Sequence, residues 1–229
     1  MLSIVATDQW HNAHPGGMIG LLELSGVDNT RPASSLEKKK RETEVLLRER
    51  YQGFTRGDFL ALPAMAAYHK YYRRFDKTYH VLLQVESIAL KGKNLPDVSP
   101  LVDANFTAEV ETLILTAGHD AAKLRGEITM DVSAEGDAMT QMDGTFKIIQ
   151  AGDMIMRDAE DICCSILYGQ DNRSPITRGT AHVLYVAYAP AGLPAELVDL
   201  QLRKIEENVR LFSPNAVQEQ FTILKAQSA

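Results

Sequence analysis

The periodicity of the apolar residues changes near Gly126, and this change limits the possible folds more than any other feature of the sequence. Before it, apolar side chains recur at helical spacing, as in segment 68–75, where aromatic residues stand at i, i+3, i+4 and i+7. After it, short segments rich in β-forming residues alternate with turn signals, of which Asp143-Gly144 is the strongest. Helices followed by strands favour an α+β fold. The sequence therefore predicts antiparallel sheets with flanking helices.

The predicted elements divide the chain into three parts. The predicted helices are 34–51, 68–75, 81–89, about 105–113, and a last one that begins at Pro194. The predicted strands are one within 16–27, then 127–132, 139–142, 145–149, 153–156, 162–168 and 182–189. We expect a single compact unit over 1–229. It consists of an N-terminal strand and helical lead-in (1–95), a core (96–192), and a C-terminal helix and tail (193–229).

The composition is that of an ordinary globular protein. Hydrophobic residues make up 45% and charged residues 24% of the 229 residues. No stretch approaches the ~20 apolar residues needed to cross a bilayer, and segment 1–17 lacks the features of a secretion signal. We therefore expect a cytoplasmic protein without a membrane partner. The adjacent Cys163 and Cys164 stand in an apolar run, which predicts buried free thiols, with a reactive thiol as the alternative.

Positive charge is concentrated in one region of this acidic chain. The formal net charge is −6, but residues 31–93 hold 14 Lys and Arg against 7 Asp and Glu. Such a region could meet a phosphate backbone, and the tyrosines of segment 68–75 could stack on bases. The alternatives are solvated helix faces and tyrosines packed in the core. The candidate nucleic-acid-binding residues are Lys70, Arg73, Arg74, Lys77, Lys91 and Lys93.

A series of short motifs between Pro96 and Gly192 resembles one known family in order and spacing. The motifs are Leu101-Val-Asp103 with Asn105, Leu115-Thr-Ala-Gly-His-Asp120, Lys123-Leu-Arg-Gly126, Gly136-Asp137, Asp143-Gly144, Gly152-Asp153, Asp158, Tyr168-Gly-Gln-Asp171 with Arg173, and Thr177 with Thr180. With these motifs in register, the chain resembles the B3/B4 domain, the editing domain of the phenylalanyl-tRNA synthetase β subunit. Residues 68–96 look like the helical lead-in of stand-alone members. The resemblance implies a B3/B4-type α+β fold with a pocket between its sheets and helices.

The resemblance also implies a role in the proofreading of charged tRNA. In the synthetase, the pocket admits tyrosine wrongly attached to phenylalanine tRNA and hydrolyses the ester, as a second sieve. A stand-alone member could do the same in trans, with tRNA or aminoacyl-tRNA as its partner. The alternative is a non-catalytic binding module for an amino acid, another small molecule or charged tRNA. Two departures favour this alternative: Ala117 occupies the place of the family's editing histidine, and segment 183–189 lacks the family's acid.

Hydrolysis of an aminoacyl ester requires a positioned water, a stabilised oxyanion and, for speed, a general base. The candidate catalytic residues are His119, as a base or as a partner of the substrate's amine, Asp120, which could orient it, and Thr177, which could present its hydroxyl. The alternative interpretation is that the His-Asp pair caps a helix boundary and that Asp103 and Asp120 are both structural.

Further polar residues are candidates for binding the substrate. They are Asp103, Asn105, Gln170, Asp171, Arg173 and Thr180. Arg173 could meet a carboxylate or phosphate, whereas the alternative is an Asx-type turn with Arg173 paired to Asp171. His11 and His14 have a spacing that can bind metal, but no third ligand is evident, so we expect neither a metal nor a cofactor.

Overall fold

The computed structural model describes residues 1–30 and 33–226. Its helices are α1 (Asp8–Ala13), α2 (Ser34–Arg50), α3 (Arg56–Ala61), α4 (Pro63–Arg73), α5 (His80–Ala89), α6 (Pro100–Thr112) and α7 (Ala195–Arg210), with a 3₁₀ turn at Ala121–Lys123. Its strands are β1 (Ile4–Ala6), β2 (Met18–Ser25), β3 (Thr116–Asp120), β4 (Ile128–Val132), β5 (Ala138–Thr140), β6 (Phe146–Ile148), β7 (Met154–Arg157), β8 (Ile162–Ser165), β9 (Gly169–Gln170), β10 (His182–Ala189) and β11 (Val217–Lys225).

Within the described residues, the strands form two main sheets and one separate hairpin. The first sheet has the order β1-β4-β7-β8-β9, the second has the order β11-β2-β10-β3, and β5 pairs with β6. Strands β1 and β4 run parallel, and the other neighbours run antiparallel. Strands β2 and β10 are buried along nearly their whole length. Burial on both faces explains why their sequences are continuous apolar runs without polar alternation.

Helix α7 packs closely on the second sheet. Its apolar stripe is buried and consists of Val198, Leu202, Ile205 and Val209. Gly20 of β2 lies beneath it, and a Cβ at this position would stand 2.7 Å from Cγ1 of Val198. The close approach of helix and sheet therefore requires glycine at this point of β2.

The tyrosines of α4 and of the loop after it connect the helices to the sheets. Their hydroxyls donate hydrogen bonds to buried acceptors: Tyr68 to the Tyr188 carbonyl, Tyr71 to the Asp153 carboxylate, Tyr72 to the Ile166 carbonyl and Tyr79 to the Leu113 carbonyl. All four side chains are buried. These aromatic rings therefore pack in the core and cannot stack on bases.

Leu113 turns the chain from α6 into β3. It ends the helix in the left-handed conformation, with φ at 67°, which is uncommon for a residue other than glycine. Its carbonyl accepts the Tyr79 hydroxyl at 3.0 Å, and strand β3 follows within three residues. This sharp reversal places β3 alongside α6, and the cavity described below lies between them.

The predicted α+β class is confirmed, and the differences lie in particular elements. His119 and Asp120 belong to β3, opposite Leu184 and Val183 of β10, and Asp120 also caps the 3₁₀ turn that follows, so the interpretation of a cap is confirmed for Asp120, while His119 lies within the strand. The predicted strand 162–168 ends at Ser165, since residues 166–168 form the turn into β9. Strands β1 and β11 were not predicted. The pairing of β1 with β4 is parallel, unlike the expected antiparallel arrangement.

No helix in the part of the chain that the structure describes is long and apolar enough to cross a membrane.

Candidate ligand-binding cavity

A cavity of about 390 Å³ lies between α6, β3 and the turn that joins β8 to β9. Its apolar wall consists of Val98, Val102, Phe106, Leu115, Ala117, Gly118, Met142, Ile166, Ile176 and Tyr188. Its polar lining consists of His80, Asn105, Glu109, Thr116, Cys164, Ser165 and Gln170. No Lys or Arg is among the described lining residues. An apolar cavity of this size with few polar groups is typical of a small-ligand site.

Glu109 is the acidic residue of this lining. Its side chain is held on α6, and the residue is only 2% exposed. Its Oε2 accepts a hydrogen bond from the backbone N–H of Thr116 at 2.9 Å. Burial raises the pKa of the Glu109 carboxyl to about 8, because the charged form loses its hydration. At neutral pH this carboxyl therefore carries a proton.

Two further polar atoms of the lining residues lack a partner among the described residues. Asn105 donates from Nδ2 to the Thr116 carbonyl at 2.8 Å, but its Oδ1 accepts no hydrogen bond. The Tyr188 hydroxyl has no nitrogen or oxygen partner among the described residues, and its neighbour is the weakly hydrogen-bonding Cys164 thiol. Buried polar groups without partners are uncommon in folded proteins and often mark a functional region.

His119 lies outside the cavity lining. It is fully buried, and its Nδ1 lies 2.8 Å from the Ser174 hydroxyl and 3.0 Å from Nε2 of Gln170. The Ser174 hydroxyl donates its proton to Asp171, and Nε2 of Gln170 donates to the Ser174 carbonyl, so His119 is held between two side chains that are themselves hydrogen-bonded. Burial lowers the pKa of His119 to about 3. Among its neighbours, Gln170 does line the cavity, so His119 stands directly behind the wall.

The other two candidate catalytic residues, Asp120 and Thr177, belong to one local network with Thr180. The Thr180 hydroxyl donates to Oδ2 of Asp120 at 2.8 Å and accepts from the backbone N–H of Thr177 at 2.9 Å. Asp120 Oδ1 accepts the backbone N–H of Ala122 at 3.1 Å and so caps the 3₁₀ turn. These contacts join β3 to the loop before β10.

Arg173 forms ion pairs with three carboxylates. Its guanidinium lies 3.1 Å from Asp158, 2.9 Å from Glu160 and 3.1 Å from Asp171. The Asp171 carboxylate also accepts the backbone N–H of Ser174 at 3.1 Å, which forms an Asx-type turn. The donors of Arg173 are thus directed at groups of the protein itself. We call His119, Asp120, Asp158, Asp171, Arg173, Ser174, Thr177 and Thr180 the polar cluster.

Asp103 lies on α6 but is directed away from the cavity lining. Its Oδ2 accepts from the fully buried Nζ of Lys40 at 2.9 Å, and its Oδ1 accepts the backbone N–H of Val98 at 3.0 Å. The carboxylates of Glu37, Asp97 and Asp103 stand close enough to hold a metal ion. However, the Lys40 ammonium donates to all three, so it already supplies the positive charge.

The six candidate nucleic-acid-binding residues are distributed over several surfaces. The exposed ones are Lys70, Arg73, Arg74, Lys91 and Lys93. Lys77 is half-buried, and its ammonium lies 4.7 Å from the ring of Tyr168, which belongs to the turn between β8 and β9. Lys93 lines a smaller neighbouring cavity that shares Phe106 with the main one. Lys77 and Lys93 therefore lie beside the main cavity.

Of the predicted site residues, Asn105 and Gln170 line the cavity, whereas Glu109 and Tyr188 were missed. A signal for Glu109 was present, since Leu101, Asn105 and Glu109 follow at i, i+4 and i+8 on one helix face. An acid on a face otherwise occupied by buried residues indicates either a paired charge or a site. Tyr188 carries no comparable signal, because its surroundings depend on the packing of α4 against β10.

Comparisons with known proteins place the chain in a family. The model of the B3/4 domain family matches residues 66–222, which is well over half of the chain. Among solved structures, the chain is similar to an N-terminal fragment of the phenylalanyl-tRNA synthetase β subunit from Pyrococcus horikoshii, with 8% sequence identity and a TM-score of 0.48. That match covers 96% of this chain and 54% of the fragment, so the chain spans about half of the fragment's length. A search among curated protein sequences found no significant match. On the family match, this chain belongs to the B3/4 domain family.

Proposed function

We propose that this protein is a binding module whose cavity accepts a small, largely apolar group of amino-acid size. One observation carries the proposal: a cavity of about 390 Å³ whose wall is mainly apolar and includes a few polar groups. The polar groups would orient the ligand, and the apolar wall would supply the burial. The ligand is an amino acid, a related small molecule, or the aminoacyl group of a charged tRNA.

The position of His119 supports binding without hydrolysis by this histidine. A general base must reach the attacking water directly or through one intervening water. His119 is not a lining residue, and its depressed pKa makes it a weak base at neutral pH. Asp120, the expected orienting partner, is hydrogen-bonded to Thr180 and Ala122. These contacts favour a structural role for the pair.

The test measures the melting temperature of the protein with a panel of amino acids and amino-acid methyl esters. Ala117→Phe fills the cavity from β3, and Ala66→Phe makes the same change at an exposed position of α4. A bound ligand raises the melting temperature by mass action. We expect at least one compound to stabilise the wild type and Ala66→Phe but not Ala117→Phe. Absence of stabilisation by every compound would overturn the proposal.

A second candidate function is hydrolysis of misacylated aminoacyl-tRNA in trans, and Glu109 is the observation that favours it. A cavity carboxyl with a pKa near 8 can act as a general acid or base close to neutral pH. Single-turnover deacylation of tyrosine-charged phenylalanine tRNA tests this function, with phenylalanine-charged tRNA alongside. Hydrolysis that is lost in Glu109→Gln but kept in His119→Ala would support it. Release at the spontaneous rate leaves the binding module as the better account.

If tRNA is the partner, the basic residues beside the cavity should contact its phosphates, and this can be measured separately. Each phosphate contact that is removed lowers the slope of log affinity against log salt by about 1. We expect Lys77→Glu and Lys93→Glu to weaken tRNA binding and to reduce this slope, because both residues lie beside the cavities. Lys38→Glu, at an exposed site on α2, is the matched control. Equal effects at all three positions would indicate nonspecific attraction. A tRNA partner also agrees with the expected cytoplasmic location.

A further inference from the structure

We propose that Glu109 is the counter-ion for an amino group, so that the cavity takes small apolar amines and aminoacyl esters and rejects ligands with a free carboxylate. This inference rests on the proposed function, the binding of a small ligand in the cavity. It specifies in addition that the ligand carries a positively charged amino group. It also separates a free amino acid, which carries a carboxylate, from an aminoacyl ester, which does not.

Glu109 differs from most other buried carboxylates of the protein because no cation accompanies it in the described residues. Asp103 has Lys40, Asp158 has Arg173, and Glu44 has Arg41. Glu109 has only the backbone N–H of Thr116 on Oε2. Buried acids are normally paired, since an isolated buried charge is costly.

Asp120, which accepts the Thr180 hydroxyl and the backbone N–H of Ala122, is one exception among the described residues, and Asp153 is the more instructive one, since it also lacks a cation. It accepts hydrogen bonds from the Tyr71 and Ser165 hydroxyls and from the backbone N–H of Leu167. It is enclosed by the protein and does not line the cavity. Glu109, in contrast, has a single recorded donor and lines a cavity that can hold a ligand. A ligand can therefore bring the missing cation to Glu109 but not to Asp153.

The titratable groups around Glu109 offer nothing positive that could hold a carboxylate. Three buried phenols near Glu109 belong to Tyr68, Tyr72 and Tyr79, and burial holds the pKa of each above its ordinary value. Burial likewise raises the pKa of the Cys164 thiol to about 12. The basic side chain of the described lining is His80, and burial lowers its pKa, so it adds no positive charge at neutral pH. A free carboxylate would thus lose hydration in an apolar cavity without gaining a cation.

The binding of an amine has a defined proton balance. In the unliganded protein at pH 7, the Glu109 carboxyl is protonated, because burial raises its pKa to about 8. When an ammonium group binds, an N–H···O hydrogen bond forms to the carboxylate, the carboxyl O–H bond breaks, and the proton leaves to solvent. Binding of one amine therefore releases nearly one proton, and its affinity rises between pH 6 and pH 8.

The experiment is calorimetric titration of the full chain with three probes of similar shape: 2-phenylethylamine, 2-phenylethanol and phenylacetate. We expect the amine to bind at least about tenfold more tightly than phenylacetate, and at least about tenfold more tightly to the wild type than to Glu109→Gln. The alcohol should bind both proteins equally. Titrations of the amine in two buffers with different ionisation enthalpies should give nearly one proton released at pH 7, and none in Glu109→Gln.

A second pair of ligands tests rejection of the carboxylate directly. L-phenylalanine methyl ester should bind at least about tenfold more tightly than L-phenylalanine. Equal binding of the pair, or tight binding of phenylacetate, would overturn the inference. Proton release that persists in Glu109→Gln would also overturn it and would point to His80.

Failure of this inference is distinguishable from failure of the proposed function. If 2-phenylethanol binds, Ala117→Phe blocks it, and the amine gains nothing from Glu109, then the assignment of charge is wrong while the cavity still binds ligands. If none of the probes binds at any pH between 6 and 8, both proposals are wrong.

Discussion

The cavity and the polar cluster lie on opposite sides of Gln170, and they treat their polar groups differently. In the polar cluster, Arg173 pairs with three carboxylates, and His119 is hydrogen-bonded to Ser174, which donates to Asp171. In the cavity, the Tyr188 hydroxyl and Asn105 Oδ1 lack partners among the described residues. The groups of the polar cluster are satisfied mainly by one another, across separations of 55 residues between His119 and Ser174 and 60 residues between Asp120 and Thr180, although Nε2 of His119 lacks a partner there. Unsatisfied groups that line a cavity are the better guide to a binding site, because a ligand can reach them.

The two regions also hold their titratable groups neutral in opposite ways. Burial lowers the pKa of His119 to about 3 and raises the pKa of Glu109 to about 8. Both groups are therefore uncharged at pH 7. The difference is access: His119 is enclosed behind Gln170, whereas Glu109 faces a space that a cation can enter. Only the second arrangement allows a ligand to change the charge of the group.

The largest expected effect comes from breaking the polar cluster. Arg173→Ala leaves the carboxylates of Asp158 and Asp171 buried without their cation. The side chain of Arg173 is itself 29% exposed, whereas those of Asp158 and Asp171 are 0% and 3% exposed. We expect the free energy of unfolding, measured in urea, to fall by about 3 kcal/mol. Arg203→Ala is the matched control, since its pair with Asp199 is exposed, and we expect it to lose less than about 1 kcal/mol.

If Arg173→Ala loses no more than Arg203→Ala, the polar cluster is not a structural unit. Arg173 would then be available to bind a carboxylate or phosphate of the substrate, as the sequence predicts. Arg173→Lys is informative in either case. It keeps the charge but loses the fork of donors, so intermediate stability is expected if geometry as well as charge holds the cluster.

The second prediction concerns the pH dependence of stability through Glu109. Its ordinary pKa is 4.5 and its folded pKa is about 8, so between these values the folded state binds more protons than the unfolded state. The free energy of unfolding therefore falls as pH rises from about 4.5 to 8. Glu109→Gln removes this contribution and can still accept the Thr116 N–H. Relative to wild type, the variant should gain on the order of 2 kcal/mol between pH 5.5 and pH 8.

Asp153, whose pKa burial raises to about 7, contributes in the same direction but is present in both proteins. The difference between the two stability curves therefore isolates Glu109. Glu207→Gln, at an exposed position of α7, is the control and should follow the wild-type curve at every pH. Parallel curves for Glu109→Gln and wild type would show that the Glu109 carboxyl is hydrated and that its pKa is not raised. The comparison of Glu109 with His119, as two groups that burial keeps neutral, would then be wrong.

Much of the fold could be predicted because it depends on local patterns. The aromatic residues of segment 68–75 follow helical spacing, and α4 covers Pro63–Arg73. The predicted strand 182–189 agrees with β10 at both ends. Strand β3 was missed because His119 and Asp120 become a strand only through pairing with β10, more than 60 residues later in the chain. Sequence periodicity does not report such long-range pairing.

The site was harder to predict than the fold, for a related reason. A search for polar residues in short motifs selected Asp171, Arg173, Thr177 and Thr180, which interact with their own neighbours. Whether a polar group is satisfied depends on elements that are far apart in the chain. The hydroxyls of Tyr68 and Tyr188 illustrate this, since identical side chains of two residues that share a hydrogen bond have opposite environments. The sequence alone does not distinguish them.

The smallest effect is expected from one of these two hydroxyls, that of Tyr188. Tyr68 donates to the Tyr188 carbonyl at 2.6 Å and accepts the backbone N–H of Leu115 at 2.9 Å, so Tyr68→Phe leaves two buried backbone groups unsatisfied. We expect a loss of about 1–3 kcal/mol in the free energy of unfolding. Tyr188→Phe removes a hydroxyl without a partner among the described residues, so its cost should be close to zero. The two variants delete the same atom from two residues joined by a hydrogen bond, which makes each the control for the other. A large loss in Tyr188→Phe would mean that this hydroxyl is satisfied, by the Cys164 thiol or by water. The cavity would then resemble the polar cluster, and the case for a ligand would rest on Glu109 and Asn105.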